Sequence, residues 1–134
     1  MCDCIFCKII KGEIPSYKIF EDEKTLAFLD IAGDFYGHTL VIPKAHAKNV
    51  LDVSAADLSA VMNTVKRVAN HYVSVCGFDG ANILNANESA AEQSVMHLHF
   101  HIIPRKNGDG LKVFPSGDAG ELDMAKVAEK LKLN

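Results

Sequence analysis

The residues best suited to chemistry are three histidines at two-residue spacing, His97, His99 and His101. In a β-strand successive side chains point to opposite faces, and the chain rises about 3.3 Å per residue. The spacing therefore predicts three imidazoles on one strand face, about 6–7 Å apart, and an apolar opposite face made of Leu98, Phe100 and Ile102. Histidine acts as nucleophile, acid–base group or metal ligand near neutral pH. The pattern indicates a functional site rather than packing.

The middle histidine, His99, is the candidate nucleophile. A neutral imidazole can attack phosphorus and hold a covalent intermediate, provided that a hydrogen bond fixes its other ring nitrogen. His101 lies within reach of the same phosphoryl oxygens and can stabilise charge in the transition state. Gln93 and Ser94, just upstream, are uncharged donors suited to a phosphate or its leaving group, although alone they are equally typical of a polar turn. A catalytic metal held by the His-x-His spacing is the competing interpretation.

The cysteines argue for metal or redox chemistry rather than disulfides. Cys2, Cys4 and Cys7 crowd the first seven residues, whereas Cys76 stands alone. This spacing is unlike the disulfide framework of a small secreted protein. Cys4-x-x-Cys7 is by itself weak evidence for half of a metal site.

Length, composition and charge narrow the class of protein. The 134 residues suit one domain, residues 1–134, and 49% hydrophobic with 23% charged residues is ordinary for a globular protein. A net charge of −3 argues against general nucleic-acid binding. No apolar run approaches the ~20 residues of a membrane span, and the N-terminus does not resemble a signal peptide. We therefore expect a cytoplasmic protein without a membrane partner or a stable nucleic-acid partner.

Apolar periodicity and turn residues predict the elements that position these groups. The clearest helix covers residues 54–76, because Ser54 can cap it, Asp57 lies in its first turn and Gly77 follows it. The remaining predicted elements are helices at 4–11 and 121–131 and strands at 17–21, 25–30, 38–43, 81–84 and 95–103. Successive strands without alternating helices favour an α+β domain with a mainly antiparallel sheet.

Residues 93–103 resemble the signature of the histidine triad (HIT) family, in which three histidines alternate with apolar residues: QSVMHLHFHII. The likeness extends to residues 3–10, 12–16, 26–31 and 37–46, which read DCIFCKII, GEIPS, LAFLDI and GHTLVIPKAH. These segments follow one another in the family's order. The resemblance covers residues 3–105 and is less informative over the tail, 106–134.

The resemblance implies a HIT-like α+β domain with a five-stranded sheet, joined to a second copy in a homodimer with one ten-stranded sheet. It also implies an enzyme that hydrolyses or transfers nucleoside monophosphates, and it favours the bacterial-type nucleoside phosphoramidase branch. His99 matches the nucleophile that becomes nucleotidylated, and His97 is the first histidine of the triad. His101 and Ser94 match residues near the phosphate and leaving group. His38 matches a histidine that supports the nucleophile through hydrogen bonds.

The family pattern likewise implies a nucleotide-binding set. Phe6, Phe28 and Ile31 match apolar walls around the base, although core packing is the ordinary role of such residues. Asp30 matches the acid that binds the ribose hydroxyls, although an aspartate after an apolar strand is typical of a turn. The set is completed by Gln93, Ser94, His99 and His101. The expected partner is a purine nucleotide such as AMP or GMP.

Bacterial-type members combine a cysteine pair with two histidines in a zinc site. Cys4, Cys7, His46 and His97 match those ligands, so the resemblance implies a structural zinc ion beside the catalytic centre. The alternative is that both cysteines are packed thiols, since members without them fold without zinc. Cys2 is a spare thiol that would compete as a ligand.

The loop before the triad departs from the family at two positions. Ala86 stands where an amide that contacts the nucleotide is common, and Glu92 replaces the usual glycine before Gln93. A glutamate there removes backbone freedom and adds negative charge near a phosphate site. Two alternatives to the phosphoramidase remain: a non-catalytic nucleotide-binding protein and a dinucleoside polyphosphate hydrolase.

Overall fold

A single five-stranded antiparallel sheet organises the computed structural model, which describes residues 3–133. The predicted spare ligand Cys2 lies outside the described residues. The spatial strand order is β1-β2-β3-β5-β4. The strands are β1 (Lys18–Glu21), β2 (Thr25–Leu29), β3 (Thr39–Pro43), β4 (Gly80–Leu84) and β5 (Phe100–Arg105). All four pairings are antiparallel, as the sequence predicts.

Helices cover the sheet on both sides, because side chains along each strand point alternately to its two faces and both faces have apolar residues. Helix α2 (Ala55–Ser74) begins after its N-cap Ser54, whose side chain accepts a hydrogen bond from the Asp57 backbone N–H. It packs on the face that contains Val41, Phe100 and Ile102. Helix α1 (Ile5–Ile10) lies against the other face, where Phe6 joins a cluster with Leu26, Phe28, Leu40 and Ile42.

The strand predicted over residues 95–103 is wrong at both ends, since β5 covers Phe100–Arg105. Continuing the register of β3 and β5 would place Leu98 opposite Pro43. Proline has no N–H to donate to a ladder, and the Pro43 carbonyl oxygen lies 2.9 Å from His97 Nε2. The Leu98 backbone N–H instead donates to the Ala47 carbonyl at 2.8 Å. The first two histidines therefore lie just before the strand, with His97 at a bend.

Alternation nevertheless persists through this segment. Leu98, Phe100 and Ile102 are buried in the cluster under α2, as predicted. His97 and His99 turn to the other face, where each ring makes an edge-to-face contact with Phe6. The predicted separation of a histidine face from an apolar core face is confirmed, although only the third histidine belongs to a strand.

The C-terminal part of the chain contributes little to the core. Helix α3 (Met124–Leu131) begins three residues later than predicted and is capped by Asp123. None of its residues is buried. No helix in the described range 3–133 is long and apolar enough to cross a membrane.

Candidate active site and metal centre

The orientation of His99 follows from one backbone hydrogen bond. His99 is buried, and its Nδ1 lies 2.7 Å from the carbonyl oxygen of His97. A carbonyl oxygen only accepts hydrogen bonds, so Nδ1 must hold the ring proton. The other nitrogen, Nε2, then has the lone pair that a nucleophile needs. The local chain geometry alone therefore selects the reactive tautomer.

A second group of polar side chains leads away from His99. The ring of His101 is 5.0 Å from that of His99 between centroids, and its Nδ1 lies 2.8 Å from His38 Nε2. His38 Nδ1 lies 3.6 Å from a carboxylate oxygen of Asp30 and has no hydrogen-bond partner among the described residues. A proton on this nitrogen would face the carboxylate. Asp30, His38, His101 and His99 thus form one continuous series of contacts, which we call the Asp30–His99 series.

Gly37 determines where His38 lies. Its φ is +76°, a left-handed conformation that glycine adopts at little cost. A Cβ on Gly37 would lie 2.9 Å from Pro104 Cγ, closer than such atoms normally approach. The turn before β3 therefore requires glycine, and this turn places His38 beside His101.

Burial lowers the pKa values of His99 and His101. It lowers the pKa of His101 to about 4, an effect to which the nearby His99 and His38 rings add. Burial also lowers the pKa of His99, against the opposing effect of the His97 carbonyl. A buried cation without full compensation is costly, so the uncharged imidazole is favoured. At neutral pH, His99 therefore presents the uncharged form that can attack phosphorus.

The four predicted metal ligands lie together on the other side of the histidine run. The ligand atoms of Cys4, Cys7, His46 and His97 all lie within 4.8 Å of one another. Cys4 and Cys7 are placed by the first turn of α1, where Cys4 is the N-cap. His46 comes from the segment after β3. The cluster can hold a metal ion.

The tautomer of His97 fits a ligand role. Its Nε2 lies 2.9 Å from the Pro43 carbonyl and must donate to it, which leaves a lone pair on Nδ1. That Nδ1 lies 3.3 Å from Cys4 Sγ, 3.6 Å from Cys7 Sγ and 3.1 Å from His46 Nδ1. Cys7 Sγ is 3.4 Å from His46 Nδ1.

These spacings agree with tetrahedral coordination. Bonds of about 2.3 Å to sulfur and 2.0–2.1 Å to nitrogen place neighbouring ligand atoms about 3.3–3.8 Å apart around zinc. Two thiolates and two imidazoles are also the soft ligand set that zinc prefers in structural sites. The donor set and its geometry therefore fit this ion.

Gln93 supports the loop before the triad rather than facing an open site. Its side chain is buried, and its Nε2 donates to the carbonyl oxygens of Lys48 and Val95. Its Oε1 accepts from the Glu88 backbone N–H and from Asn49 Nδ2. All four hydrogen-bonding positions of the amide are engaged. A contact from Gln93 to phosphate stays a prediction and would require one of these bonds to break.

Sequence reasoning missed the partners that hold this loop. The Glu88 carboxylate accepts from Lys48 Nζ at 2.8 Å and from Asn49 Nδ2 at 2.7 Å. These two hydrogen bonds lower the pKa of Glu88, and the bond from Lys48 has the larger effect. Asn49 is buried although polar. Only its spacing to Asp52, whose carboxylate caps the backbone there, could have marked it as a turn residue.

The predicted base walls fall into two groups. Phe6 and Phe28 are buried and pack edge to face, 5.5 Å between centroids, so they belong to the core beneath the site. Ile31 is 83% exposed. With Asp30 it lines an open cavity of about 670 Å³, whose other lining residues are Pro15, Ser16, Tyr17 and Leu29. Ser94 is exposed beside the buried Gln93.

Comparisons with known proteins agree with this site. The HIT domain model matches residues 11–108. An uncharacterized HIT-like protein of Methanocaldococcus jannaschii is 45% identical over 129 residues, which cover 96% of this chain and 98% of the relative. An adenosine 5′-monophosphoramidase of Schizosaccharomyces pombe is 41% identical over 130 residues, covering 96% and 95%. A crystal structure of a Zn-bound histidine triad family protein from Mycobacterium smegmatis has a TM-score of 0.78 at 38% identity, covering 87% and 84%.

The match extends over most of the chain, so the protein belongs to the HIT family. The fold class predicted from the sequence, α+β with a five-stranded antiparallel sheet, is confirmed by the sheet itself and by the structural similarity. The roles of individual site residues are not tested by these similarities and stay predictions.

Proposed function

We propose that this protein is a nucleotide hydrolase or transferase that cleaves nucleoside 5′-monophosphate derivatives at the α-phosphorus, with purine nucleoside phosphoramidates as its foremost substrates. The observation that carries the proposal is the His99 Nδ1–H bond to the His97 carbonyl, because it leaves Nε2 free to attack. The monophosphoramidase activity of the Schizosaccharomyces pombe relative supports the substrate class.

The reaction proceeds in two displacements. His99 Nε2 forms a bond to the α-phosphorus, the P–N bond breaks, and the amine leaves after taking up a solvent proton relayed by the exposed Ser94 hydroxyl. Water then attacks the phosphorus of nucleotidyl-His99, the Nε2–P bond breaks, and the nucleoside monophosphate is released with a proton returned to solvent. His101 stabilises the phosphoryl oxygens, and His38 holds the His101 ring.

The nucleoside lies at the open cavity beside Asp30. The Asp30 carboxylate is suited to accept hydrogen bonds from both ribose hydroxyls, as acidic residues do in other nucleotide sites. Ile31 covers one face of a purine ring, and Phe6 and Phe28 form the apolar floor beneath it. These mostly apolar contacts do not select one base, because every base presents a similar face for stacking.

A single-turnover assay of adenosine 5′-phosphoramidate hydrolysis tests the proposal, with wild type compared against His99→Ala. We expect AMP release by the wild type and a rate at least about 10³-fold lower in the variant. Mass spectrometry of rapidly quenched wild type should show protein with an added AMP group, and His99→Ala should not. His71→Ala, at an exposed position of α2, is the matched control and should behave like wild type.

Equal turnover in wild type and His99→Ala would remove His99 from the mechanism. An inactive wild type that still binds AMP would point to a nucleotide-binding protein without this activity. These outcomes are distinguished by measuring AMP affinity of both proteins by calorimetry.

We also propose that zinc is the metal at the cluster and that its role is structural. Three observations support this proposal: the donor set of two cysteines and two histidines, ligand atoms spaced much as in a tetrahedral site, and the Zn-bound structure from Mycobacterium smegmatis. When bound, zinc supplies a fixed tetrahedral crosslink between α1, the segment after β3 and His97. The residues themselves hold the Pro43 carbonyl and the His97 ring in register with β3.

A cytoplasmic homodimer is the proposed state of the protein. Of the two sheet edges, β1 has charged residues, with Lys18 and Glu21 paired at 2.7 Å. The other edge, β4, has the uncharged sequence GANIL, and Ile83 on it is 39% exposed. An uncharged exposed edge is suited to pair with another strand, so β4 is where two sheets would join. Light scattering of wild type and Ile83→Lys would test this, with a dimer expected to become a monomer.

A further inference from the structure

A second cavity adjoins the Asp30–His99 series on its His38–His101 part. This cavity, which we call the Glu92 cavity, has a volume of about 320 Å³ and contains His38, His101 and Glu92. Its other lining residues are Phe35, Leu84, Asn85, Ala86, Ala91 and Ile103. None of them lines the larger cavity at Asp30 and Ile31. The site therefore has two separate spaces, one at the ribose-binding acid and one beside the histidine that faces the phosphate.

Charge distinguishes the Glu92 cavity. Among its described lining residues, Glu92 is the only acidic side chain, and none is lysine or arginine. The nearby cation Lys48 is already paired with Glu88 at 2.8 Å. No hydrogen bond or ion pair within residues 3–133 holds the Glu92 carboxylate. A group that enters this cavity therefore meets an acidic side chain that no cation of the lining compensates.

The backbone at Glu92 has an unfavourable conformation for a residue with a side chain. Its φ is +66° and ψ is 32°, in the left-handed region that is unfavourable for glutamate. Strained residues of this kind persist where the surroundings hold them, and they cluster at functional sites. Glu88, at φ +76°, has the same problem, but Lys48 and Asn49 bind its carboxylate. Glu92 has no such compensation within the described protein.

We propose that Glu92 determines which leaving group the enzyme accepts, and that it favours amines with a second, protonated amino group over neutral or anionic ones. The inference rests on the proposed function. The nucleoside occupies the cavity at Asp30, the α-phosphate lies at His99 and His101, and the leaving amine enters the Glu92 cavity. Its distal ammonium is attracted by the Glu92 carboxylate, whereas a carboxylate or phosphate on the leaving group is repelled.

The chemical step is unchanged by this choice. His99 Nε2 attacks phosphorus, the P–N bond breaks, and the reacting nitrogen leaves with a proton from solvent, while the distal ammonium keeps its charge throughout. Glu92 acts on binding and on the position of the leaving group, so it is a specificity residue. Substrates with pyrophosphate or longer polyphosphate leaving groups are disfavoured by the same charge.

Three adenosine 5′-phosphoramidates of similar length test the inference: those of n-propylamine, 1,2-diaminoethane and β-alanine, with neutral, cationic and anionic leaving groups. The measured quantity is kcat/KM for each at low ionic strength. We expect the cationic-to-anionic ratio to fall about five- to tenfold in Glu92→Gln, as expected for one partly screened charge. Glu92→Lys should invert the preference. Glu23→Gln, at an exposed turn far along the sheet, should leave all three values unchanged.

Each outcome separates the two proposals. A wild type that cleaves none of the three substrates overturns the proposed function, and this inference with it. Cleavage of all three substrates with a ratio that changes less than twofold in both Glu92 variants overturns only the inference. Thermal melts of both variants show whether the backbone tolerates the change, and either folded variant is sufficient for the ratio. A ratio that shifts as expected and weakens in 0.5 M salt supports it.

Discussion

The first two histidines of the run, His97 and His99, are the same residue type but present opposite ring nitrogens. His97 donates from Nε2 to the Pro43 carbonyl, which turns its Nδ1 lone pair towards two sulfur atoms. His99 donates from Nδ1 to the His97 carbonyl, which leaves its Nε2 lone pair for a phosphorus. The backbone carbonyl that accepts from each ring decides which nitrogen is available. One spacing therefore yields a candidate metal ligand and a candidate nucleophile two residues apart.

His97 also joins the two halves of this comparison. Its side chain belongs to the metal cluster, and its carbonyl oxygen holds the nucleophile. A change that frees the His97 ring should therefore affect both stability and the orientation of His99. A change in the Asp30–His99 series should affect activity without loss of the metal. The predictions below test this asymmetry.

The largest effect is expected from removing the cysteine ligands together. Cys4→Ala/Cys7→Ala should abolish stoichiometric zinc in protein purified without added metal. At free zinc about 1,000 times the dissociation constant, the lost linkage is worth about 4 kcal/mol of unfolding free energy. Denaturant unfolding and metal analysis measure the two effects.

Cys76→Ala is the matched control, because Cys76 is exposed and lies outside the cluster. It should keep both the metal and the unfolding free energy of wild type. A double variant that retains equal zinc would contradict the ligand assignment. A double variant that loses zinc at unchanged stability would contradict the structural role instead.

A smaller effect, mainly on activity, is expected at the turn that places His38. Gly37→Ala brings a Cβ to 2.9 Å from Pro104 Cγ and should displace His38 from His101. We expect kcat to fall about 10- to 100-fold, the typical cost of lost positioning, with the zinc content unchanged.

Gly33→Ala separates this displacement from ordinary backbone strain. Gly33 has φ +75°, and a Cβ there would meet nothing within 4 Å. Both variants should lose about 1 kcal/mol of stability to the left-handed backbone. Only Gly37→Ala should lose activity. Equal loss of kcat in both would show that His38 is not placed by the contact with Pro104.

The comparison also shows what the sequence could predict. Alternation of apolar and polar residues was enough to assign the two faces around Leu98, Phe100 and Ile102, because side-chain direction has a period of two in any extended chain. The helix at Ala55–Ser74 was equally accessible, since Ser54 and Gly77 mark its ends. The start of β5 could not be predicted, because it depends on Pro43, which lies more than fifty residues away and cannot extend the ladder.

The site shows the same division. The cysteine pair and the histidines were identifiable by type and spacing, and four of them do lie together. The roles of Lys48, Asn49 and Glu88 were not, because each depends on contacts between segments about forty residues apart. Gln93 was assigned as a phosphate donor from its type, whereas its full set of hydrogen bonds became visible only in the folded loop.

Acid should act on the catalytic half through His101. Burial lowers its pKa from 6.5 to about 4, with the His99 and His38 rings adding to the effect. Between these values the unfolded chain binds a proton that the folded protein excludes, so stability falls as pH drops from about 6.5 to about 4. His101→Asn should make the unfolding free energy less dependent on pH in this window. Denaturant unfolding at several pH values measures it.

The exposed His71 provides the control for that experiment, since His71→Asn should leave the slope of stability against pH as in wild type. A slope that is unchanged by His101→Asn would show that His101 is not held neutral by the fold. Both proteins are measured at the same zinc content, so that the pH-dependent contribution of the metal ligands is the same in each and cancels in the comparison.

The smallest effects are expected at the two glutamates of the loop that have a positive φ, Glu88 and Glu92. They too are the same residue type in different surroundings. Glu92→Gly relieves a left-handed backbone that costs about 1–2 kcal/mol, and the added freedom of glycine in the unfolded chain offsets about 0.4–1 kcal/mol of that gain. A net gain of about 0.5 kcal/mol should appear in denaturant unfolding. Calorimetry should show AMP binding a few-fold tighter, because a negative charge near the phosphate is removed.

Glu88→Gly also relieves a positive-φ backbone, at φ +76° and ψ 164°, but it removes the carboxylate that binds Lys48 and Asn49. Asn49 is buried, and a buried amide that loses a partner costs about 1–3 kcal/mol. This variant should therefore be less stable than wild type, opposite in sign to Glu92→Gly. If both variants gain stability equally, the contacts of Glu88 contribute nothing and backbone strain alone decides. If AMP affinity is unchanged or weaker in Glu92→Gly, the Glu92 carboxylate does not oppose the phosphate.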